Sequence, residues 1–302
     1  MKEINNIQHP RVAVVTPIFN DLDHTLVFLT SLRQQVFQDF TTIIIDMGTD
    51  NTQAMIEKVY PAAIVLREGD VLWSGGTNAG VKYAIEHNYE YVYTVNNDVK
   101  LDKNCLQNVV EFADTHPQSL VGSIICYESD LNRVWYYGGY ISLIGNMPHA
   151  EGSLKDFTTP AQPEWLTGMG ALIPVQAYKD VGLYDAKHFP HYLADADFSL
   201  RAKNDGGYNL WVTPDARLVF DEASSWFGNC TRKPKLGYMY ELLFDVKSPM
   251  NLKSRYVFYK KHLKLFRLKF VIYNIRYIPR VFLNFITDFY LQPSSLTIYL
   301  RP

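Results

Sequence analysis

Cysteine is scarce in this chain: three among 302 residues, Cys105, Cys126 and Cys230. Their spacing matches no metal-ligand pattern and their odd number allows no complete pairing. That excludes a zinc ribbon or a disulfide-built fold and fits a reducing compartment. Long apolar runs are missing too; none reaches the roughly 18 uncharged residues that a spanning helix needs. The opening stretch, "MKEINNIQHPRVAVV", has no basic region followed by an apolar core, so no signal peptide is expected and the expected setting is cytoplasmic. No repeat or low-complexity segment is present. The glycine-rich stretch "WSGGTNAG" (73–80) lacks the Lys-Ser/Thr ending of a phosphate-binding P-loop. The last absence is of acid. Between Val246 and Thr287 there are ten Lys or Arg and no Asp or Glu, whereas residues 1–245 hold 18 basic and 30 acidic side chains, a formal −12. The overall charge of −2 therefore conceals two regions that face different partners, or each other.

What is present is an ordinary globular composition, 47% hydrophobic and 20% charged. The first half alternates strands with helices. "RVAVVTPIF" (11–19), "TTIIIDM" (41–47), "AAIVLRE" (62–68), "YEYVYTV" (89–95) and "LVGSIICY" (120–127) are mostly continuous apolar runs, the pattern of strands covered on both faces in a largely parallel sheet. Between them, "LDHTLVFLTSLRQQVF", "NTQAMIEKVY", "GGTNAGVKYAIEHN" and "DKNCLQNVVEFADTH" have helical length and three- and four-residue apolar spacing. The order predicts a doubly wound α/β domain whose ligand lies where strands end. Polar residues stand at those ends: Asn20 and Asp21, Asp46, Arg67 and Glu68, and Asn96-Asn97-Asp98. Three adjacent amide and acid side chains after an apolar strand are costly to bury unless something satisfies them. Capping of the following helices is the plain reading of each; a shared crevice is the reading of all together. From about 130 the rhythm changes to a hairpin in "VWYYGGYISLIG", a strand in "EWLTGMGALIP", a helix from "YLADADFSLRAKNDGG" and short strands in "YNLWVTPDARLVF".

"VAVVTPIFND", "IIIDMGTDNT", "GGTNAG", "YTVNNDV", "WLTGMGALIP" and "HYLADADFSLRAK" follow one another as they do in family 2 of the inverting nucleotide-sugar glycosyltransferases, which this chain resembles over about 10–260. The nearest likeness is to the subgroup that builds lipopolysaccharide O-antigen, capsule and other cell-surface glycans. The resemblance implies a GT-A type, Rossmann-like mixed sheet with helices on both faces. It divides the chain into a glycosyltransferase domain at 1–245 (a nucleotide-sugar half at about 10–128, an acceptor half at 129–245) and a basic, amphipathic helical extension at 246–302.

On the donor side the resemblance points to a UDP- or dTDP-sugar. Asp46 would accept the N3–H of the base, with Pro17, Phe19 and Asn20 packed around it. Gly76 and Asn78 would lie over the ribose and sugar, Arg67 and Trp73 would touch the donor, and Asn96 and Asn97 would line it. The family's Asp-x-Asp motif reads Asn96-Asn97-Asp98 here, which leaves Asp98 as ligand of a Mg²⁺ or Mn²⁺ ion. Where many relatives have a metal-binding His, this chain has Asp221. The base maps to Asp195; the acid that precedes it in relatives is Ala194 here. Asp197 and Arg201, four apart, suit an ion pair along the helix. Acceptor contacts fall to Trp165, Gly168, His191 and Tyr192, each with a structural alternative. The implied reaction is direct displacement with inversion onto a saccharide, in keeping with a lipid-linked acceptor. A nucleotidyltransferase is disfavoured, because "TPIFNDLDHTL" lacks the Gly-rich, basic signature. A non-catalytic nucleotide-sugar or glycan binder stays open on Ala194 and "NND". The basic, aromatic tail suits the anionic surface of a membrane on its inner face; packing on the acidic domain or on a second copy of the chain is the alternative. Nucleic acid does not fit the acidic remainder.

Overall fold

A computed structural model describes residues 10–222 and 236–291. Cys230 lies outside them; Cys105 and Cys126 are buried free thiols. The chain begins β1 (Val12–Ile18), α1 (Leu22–Arg33), β2 (Phe40–Asp46), α2 (Thr52–Val59), β3 (Ile64–Arg67), α3 (Leu72–Glu86) and β4 (Tyr91–Thr94). Then come β5 (Val99–Leu101), α4 (Cys105–Thr115), β6 (Ser119–Tyr127), β7 (Arg133–Tyr136) and β8 (Gly152–Ser153). β9 (Ala171–Pro174), α5 (Val175–Val181), α6 (Ala194–Asn204) and β10 (Asn209–Phe220) complete the sheet region, and α7 (Leu236–Phe244), α8 (Leu252–His262) and α9 (Phe266–Leu291) follow.

The apolar runs do what their lack of alternation implies. Every residue of β1 is buried, as are the last five of β2, because helices cover both faces. The strand order is β3-β2-β1-β4-β9-β6-β10-β5. β3, β2, β1 and β4 are parallel, β9 is antiparallel to β4 and β6, and β10 is parallel to β6 but antiparallel to β5. From β1 the chain winds outward to β2 and β3, then returns on the other side to β4. The β1–β4 boundary is thus a switch point, and a crevice opens beyond its carboxyl ends.

β5 sits four strands away from β4 in that order, yet follows it in sequence after residues 95–98 only. A flat sheet would separate them by about 19 Å, whereas the extended chain from Thr94 to Val99 reaches about 17 Å at most. The sheet therefore curls, and the Asn96–Asp98 turn lands beside the end of β10.

Some sequence expectations hold here and others change. "WSGGTNAG" forms the first turns of α3, in line with the helical spacing of "GGTNAGVKYAIEHN", and its glycines permit close helix–sheet approach. A Cβ on Gly80 would lie 2.4 Å from Val15 Cγ1, and one on Gly76 would lie 2.9 Å from Met47 Sδ and 3.0 Å from Pro17 Cβ. "VWYYGGYISLIG" supplies β7, antiparallel to both β6 and β8, and then the first arm of a hairpin, in which the N–H groups of Tyr137, Tyr140 and Ser142 donate to the carbonyls of Ala150, Pro148 and Asn146. Of "EWLTGMGALIP" only the last four residues are strand. "YNLWVTPDARLVF" is one long strand with a register shift between Thr213 and Arg217.

The basic C-terminal segment begins by packing on the acidic body. Lys261 Nζ and His262 Nε2 of α8 each lie 2.7 Å from Asp197 Oδ1 on α6. Tyr259 Oη donates to the Gly145 carbonyl at 2.8 Å, and Ser254 Oγ to that of His188 at 2.9 Å. α9 then folds back on α8 through Phe266, Phe270 and Tyr273, with the helix continuing through Pro279. Among the described residues no helix is long and apolar enough to cross a membrane.

Candidate active site

Asp195 stands in the first turn of α6. The helix is entered through Leu193, held in the left-handed region at φ 71°, with no side-chain cap. A non-glycine residue there is strained, and such strain persists where surrounding structure enforces it. Asp195 does not cap the helix. Its Oδ2 accepts the Gly168 N–H at 3.0 Å and its Oδ1 accepts that of Ala196 at 2.8 Å. Burial lifts the carboxyl above its usual range, and the two N–H donors only partly oppose that. A carboxylate so placed takes up a proton more readily than an exposed one.

Gly168 has a second duty. A Cβ there would lie 2.4 Å from Trp73 Cη2, so the glycine makes room for the indole of α3 against the 167–169 turn. Trp73 Nε1 donates to Asn96 Oδ1 at 2.9 Å. One continuous run of contacts, Asn96–Trp73–Gly168–Asp195, thus connects the end of β4 to the α6 carboxylate.

Beside Asn96, Asn97 turns inward. Its amide donates to Thr25 Oγ1 at 3.0 Å and Asp21 Oδ2 at 3.2 Å, tying the turn to α1. None of Asn96, Asn97 and Asp98 caps a helix, since β5 follows and α4 starts after Asn104. The Asp98 carbonyl accepts the Asp221 N–H at 3.2 Å, which brings those two acids side by side. Asp221 Oδ2 lies 3.3 Å from His24 Nε2, and His24 Nδ1 lies 2.8 Å from Asp21 Oδ1. The Asp21 hydrogen bond, opposed by burial and assisted by Asp221, raises the His24 pKa. The sequence reading missed His24; its i, i+3 spacing from the α1 cap Asp21 was the available signal. Asp98 and Asp221 are hard oxygen donors, suited to Mg²⁺ or Mn²⁺. Among the described residues no group of three or more His, Cys, Asp and Glu is arranged to hold a metal. Two such donors would leave a bound cation to draw its remaining ligands from substrate and water.

A second polar cluster is built at the ends of β1, β2 and β3. Asp46 is fully buried: Oδ1 accepts the Gly48 N–H at 2.9 Å, and Oδ2 accepts from Arg67 Nη1 at 2.5 Å. It does not cap α2, which starts after Asn51. Arg67 also donates to the Gly48 carbonyl at 3.0 Å and keeps nearly half its side chain exposed. Asn20, at φ 49°, accepts the Thr49 N–H at 2.7 Å, closing the loop on which Phe19 is exposed. Pro17 is buried in β1 under Gly76.

Other predicted site residues serve the framework. Both ends of the Asn78 amide bond the Tyr184 backbone, at 2.9 and 3.0 Å. Trp165 covers Gly139 and donates its indole N–H to the Tyr140 carbonyl at 3.1 Å. His191 and Tyr192 meet edge to face at 4.9 Å before α6. Burial, helped by the charge of Lys247, lowers the His191 pKa to about 4, so this imidazole is neutral at neutral pH.

Residues 13–182, more than half of the chain, match the family described as Glycosyl transferase family 2. The chain belongs to that family. Glycosyl transfer is therefore its general activity, and the curled mixed sheet with helices on both sides agrees with the GT-A fold. A search of curated proteins found no match. The matched span of the glycosyltransferase includes Asp46, Trp73, the Asn96–Asp98 turn and Gly168, and ends before α6. The roles of Asp195 and Asp221 thus rest on the contacts described above.

Proposed function

We propose that this glycosyltransferase moves a hexosyl or deoxyhexosyl group from a UDP- or dTDP-sugar to a hydroxyl of a saccharide acceptor, with inversion, in cell-surface polysaccharide synthesis. The observation that carries the reading is the run Asn96–Trp73–Gly168–Asp195, which connects the end of β4 to a proton acceptor on α6. Arg67 and Phe19 face the nucleoside, with Asp46 fixing the guanidinium. Asp195 takes the proton of the acceptor hydroxyl as its oxygen attacks the anomeric carbon; the bond from that carbon to the diphosphate breaks, and the nucleoside diphosphate departs. With one carboxylate and no second acid as nucleophile, a single displacement inverts the centre, by analogy with inverting hydrolases. A divalent cation held by Asp98 and Asp221 would offset the charge that develops on the leaving diphosphate.

The test is incubation with UDP- and dTDP-sugars with and without Mn²⁺. Nucleoside diphosphate release is expected with one donor, falling at least about tenfold when the cation is chelated. Neither binding nor release with any donor would defeat the reading. Ala194 favours the rival reading of a non-catalytic binder, for which donor binds and no nucleotide is ever released.

The proposal extends to the acceptor, a lipid-linked saccharide met at an anionic membrane. On α9 and the turn before it, Leu265, Leu268, Val271 and Ile275 are exposed at three- and four-residue spacing, among Lys264, Arg267, Lys269 and Arg276. An apolar stripe flanked by bases suits the surface of anionic lipid. Co-sedimentation with phosphatidylglycerol vesicles is expected, and a double Leu268→Glu, Ile275→Glu variant should lose most of it. Equal binding to neutral vesicles, or a dimer that the double variant breaks without any vesicle binding, would overturn the membrane reading.

A further inference from the structure

Sequence spacing gave no role to Lys247, in the turn between α7 and α8. The structure brings it against the segments that follow β1 and β3, beside Phe19 and Asp70. Its Nζ lies 5.3 Å from the centre of the exposed Phe19 ring, which belongs to the nucleoside end. On the other side its charge acts on His191, four residues before Asp195, together with Asp70 and Asp245. Lys247 therefore stands between the two ends of the proposed donor site. A nucleotide sugar stretched from base to reacting carbon passes its diphosphate through that interval.

The turn that carries Lys247 is firmly made. Asp245 Oδ1 accepts the Lys247 N–H at 2.8 Å, and Ser248 Oγ donates to the Leu242 carbonyl at 2.5 Å. Asn251 donates to the carbonyls of Phe244 and Asp245, both at 3.0 Å, and caps α8 through the Ser254 N–H at 2.9 Å. Ser248, Met250 and Asn251 are all buried. The ammonium itself is lightly held. Its ion pair is to Asp70 Oδ2 at 4.0 Å, between two half-exposed side chains, and such pairs contribute little. It can exchange that partner for a phosphate oxygen without leaving a buried charge behind.

We propose that Lys247 binds the diphosphate of the donor, so that the C-terminal segment completes the donor site. The inference rests on the nucleotide-sugar reading above. It also assigns a source of positive charge to a site whose motif has kept one acid of the usual pair.

Isothermal titration of the full chain separates the possibilities. Wild type, Lys247→Met and Lys247→Arg are each titrated with UDP, uridine, dTDP and thymidine. For whichever diphosphate wild type binds, Lys247→Met should weaken binding about tenfold, the loss of one charge-assisted contact. Binding of the parent nucleoside should not change, and Lys247→Arg should recover most of the lost affinity. Equal weakening of nucleoside and diphosphate would mean that Lys247 acts through Phe19 packing, and no weakening of either would mean that it does not touch the ligand; both overturn the proposal. Wild type that binds no nucleotide defeats the donor reading itself. Thermal melts of the three proteins check that all are folded.

Discussion

Asp195→Asn is expected to lower transfer by about 10²–10⁴-fold, the usual contribution of a positioned general base, while the donor dissociation constant changes by less than about twofold. The asparagine oxygen can still accept the Gly168 N–H, so the 167–169 turn and the Trp73 ring above it stay in place. The proton acceptor is lost, together with the bond from the Ala196 N–H, which an amide nitrogen cannot accept. Single-turnover transfer and donor titration on the same preparation measure the two effects separately. The pH dependence carries a second check. Because burial raises the Asp195 pKa, the acid limb of kcat/KM should lie above the ordinary carboxylate range. The same shift has a sign for stability. Between the ordinary and the raised pKa the native state holds more protons than the unfolded chain, so stability falls as pH rises through that window. Asparagine escapes the desolvation penalty but gives up the Ala196 N–H bond, so the melting temperature of the variant at neutral pH should change little. A variant that melts lower and binds donor poorly would point to a structural role for Asp195.

Asp197→Ala is expected to have the largest effect on stability, a loss of about 3–5 kcal/mol, because it removes one member of a buried charge cluster and leaves the others uncompensated. The Asp197 carboxylate is wholly buried and lies 2.9 Å from Arg201 Nε and 2.7 Å from both Lys261 Nζ and His262 Nε2. Arg201 is itself nearly buried; besides Asp197 it bonds the carbonyl of Val181 and, at 2.8 Å, that of Leu183. Burial pushes the Asp197 pKa up, but His262, Lys261 and Arg201 outweigh it, and the net shift is downward. A depressed carboxylate contributes stability that is present above its ordinary pKa and is lost as pH falls through the lowered one. Urea titrations run downward from neutral pH should therefore show the gap between wild type and variant narrowing as pH falls below the ordinary carboxylate range. Hydrogen exchange should show α8 opening first in the variant. A loss below about 1 kcal/mol, or one spread evenly over the chain, would mean that the cluster does not hold α8 down.

The layered sheet was legible because its signal is local. An unbroken apolar run such as Val12–Val15 needs cover on both sides, and the alternation with helices then limits the topology to few choices. The strand-end polar residues were legible for the same reason, as misplaced polarity at Asp46 and Asn96–Asp98. Glycines were harder to read. Spacing put Gly76 and Gly80 in a helix, but no local signal says that close packing of α3 on β1 requires them. Contacts between distant segments had no local signal at all. Nothing near residue 247 indicates a ring at position 19, and the meeting of Asp98 with Asp221 depends on a curl that strand order alone reveals. The contact of Trp73 with Gly168 is likewise a property of a helix start and a turn brought together by the strands between them.

The position of Asp197 has a practical consequence. It lies two residues beyond Asp195 in the same turn of α6, and two of the three side chains that hold its carboxylate, Lys261 and His262, come from α8. A shortened protein that stops at residue 245 would keep the entire sheet yet strand a submerged anion with Arg201 as its last counterion. Efforts to define a minimal active fragment should therefore keep the chain through at least His262.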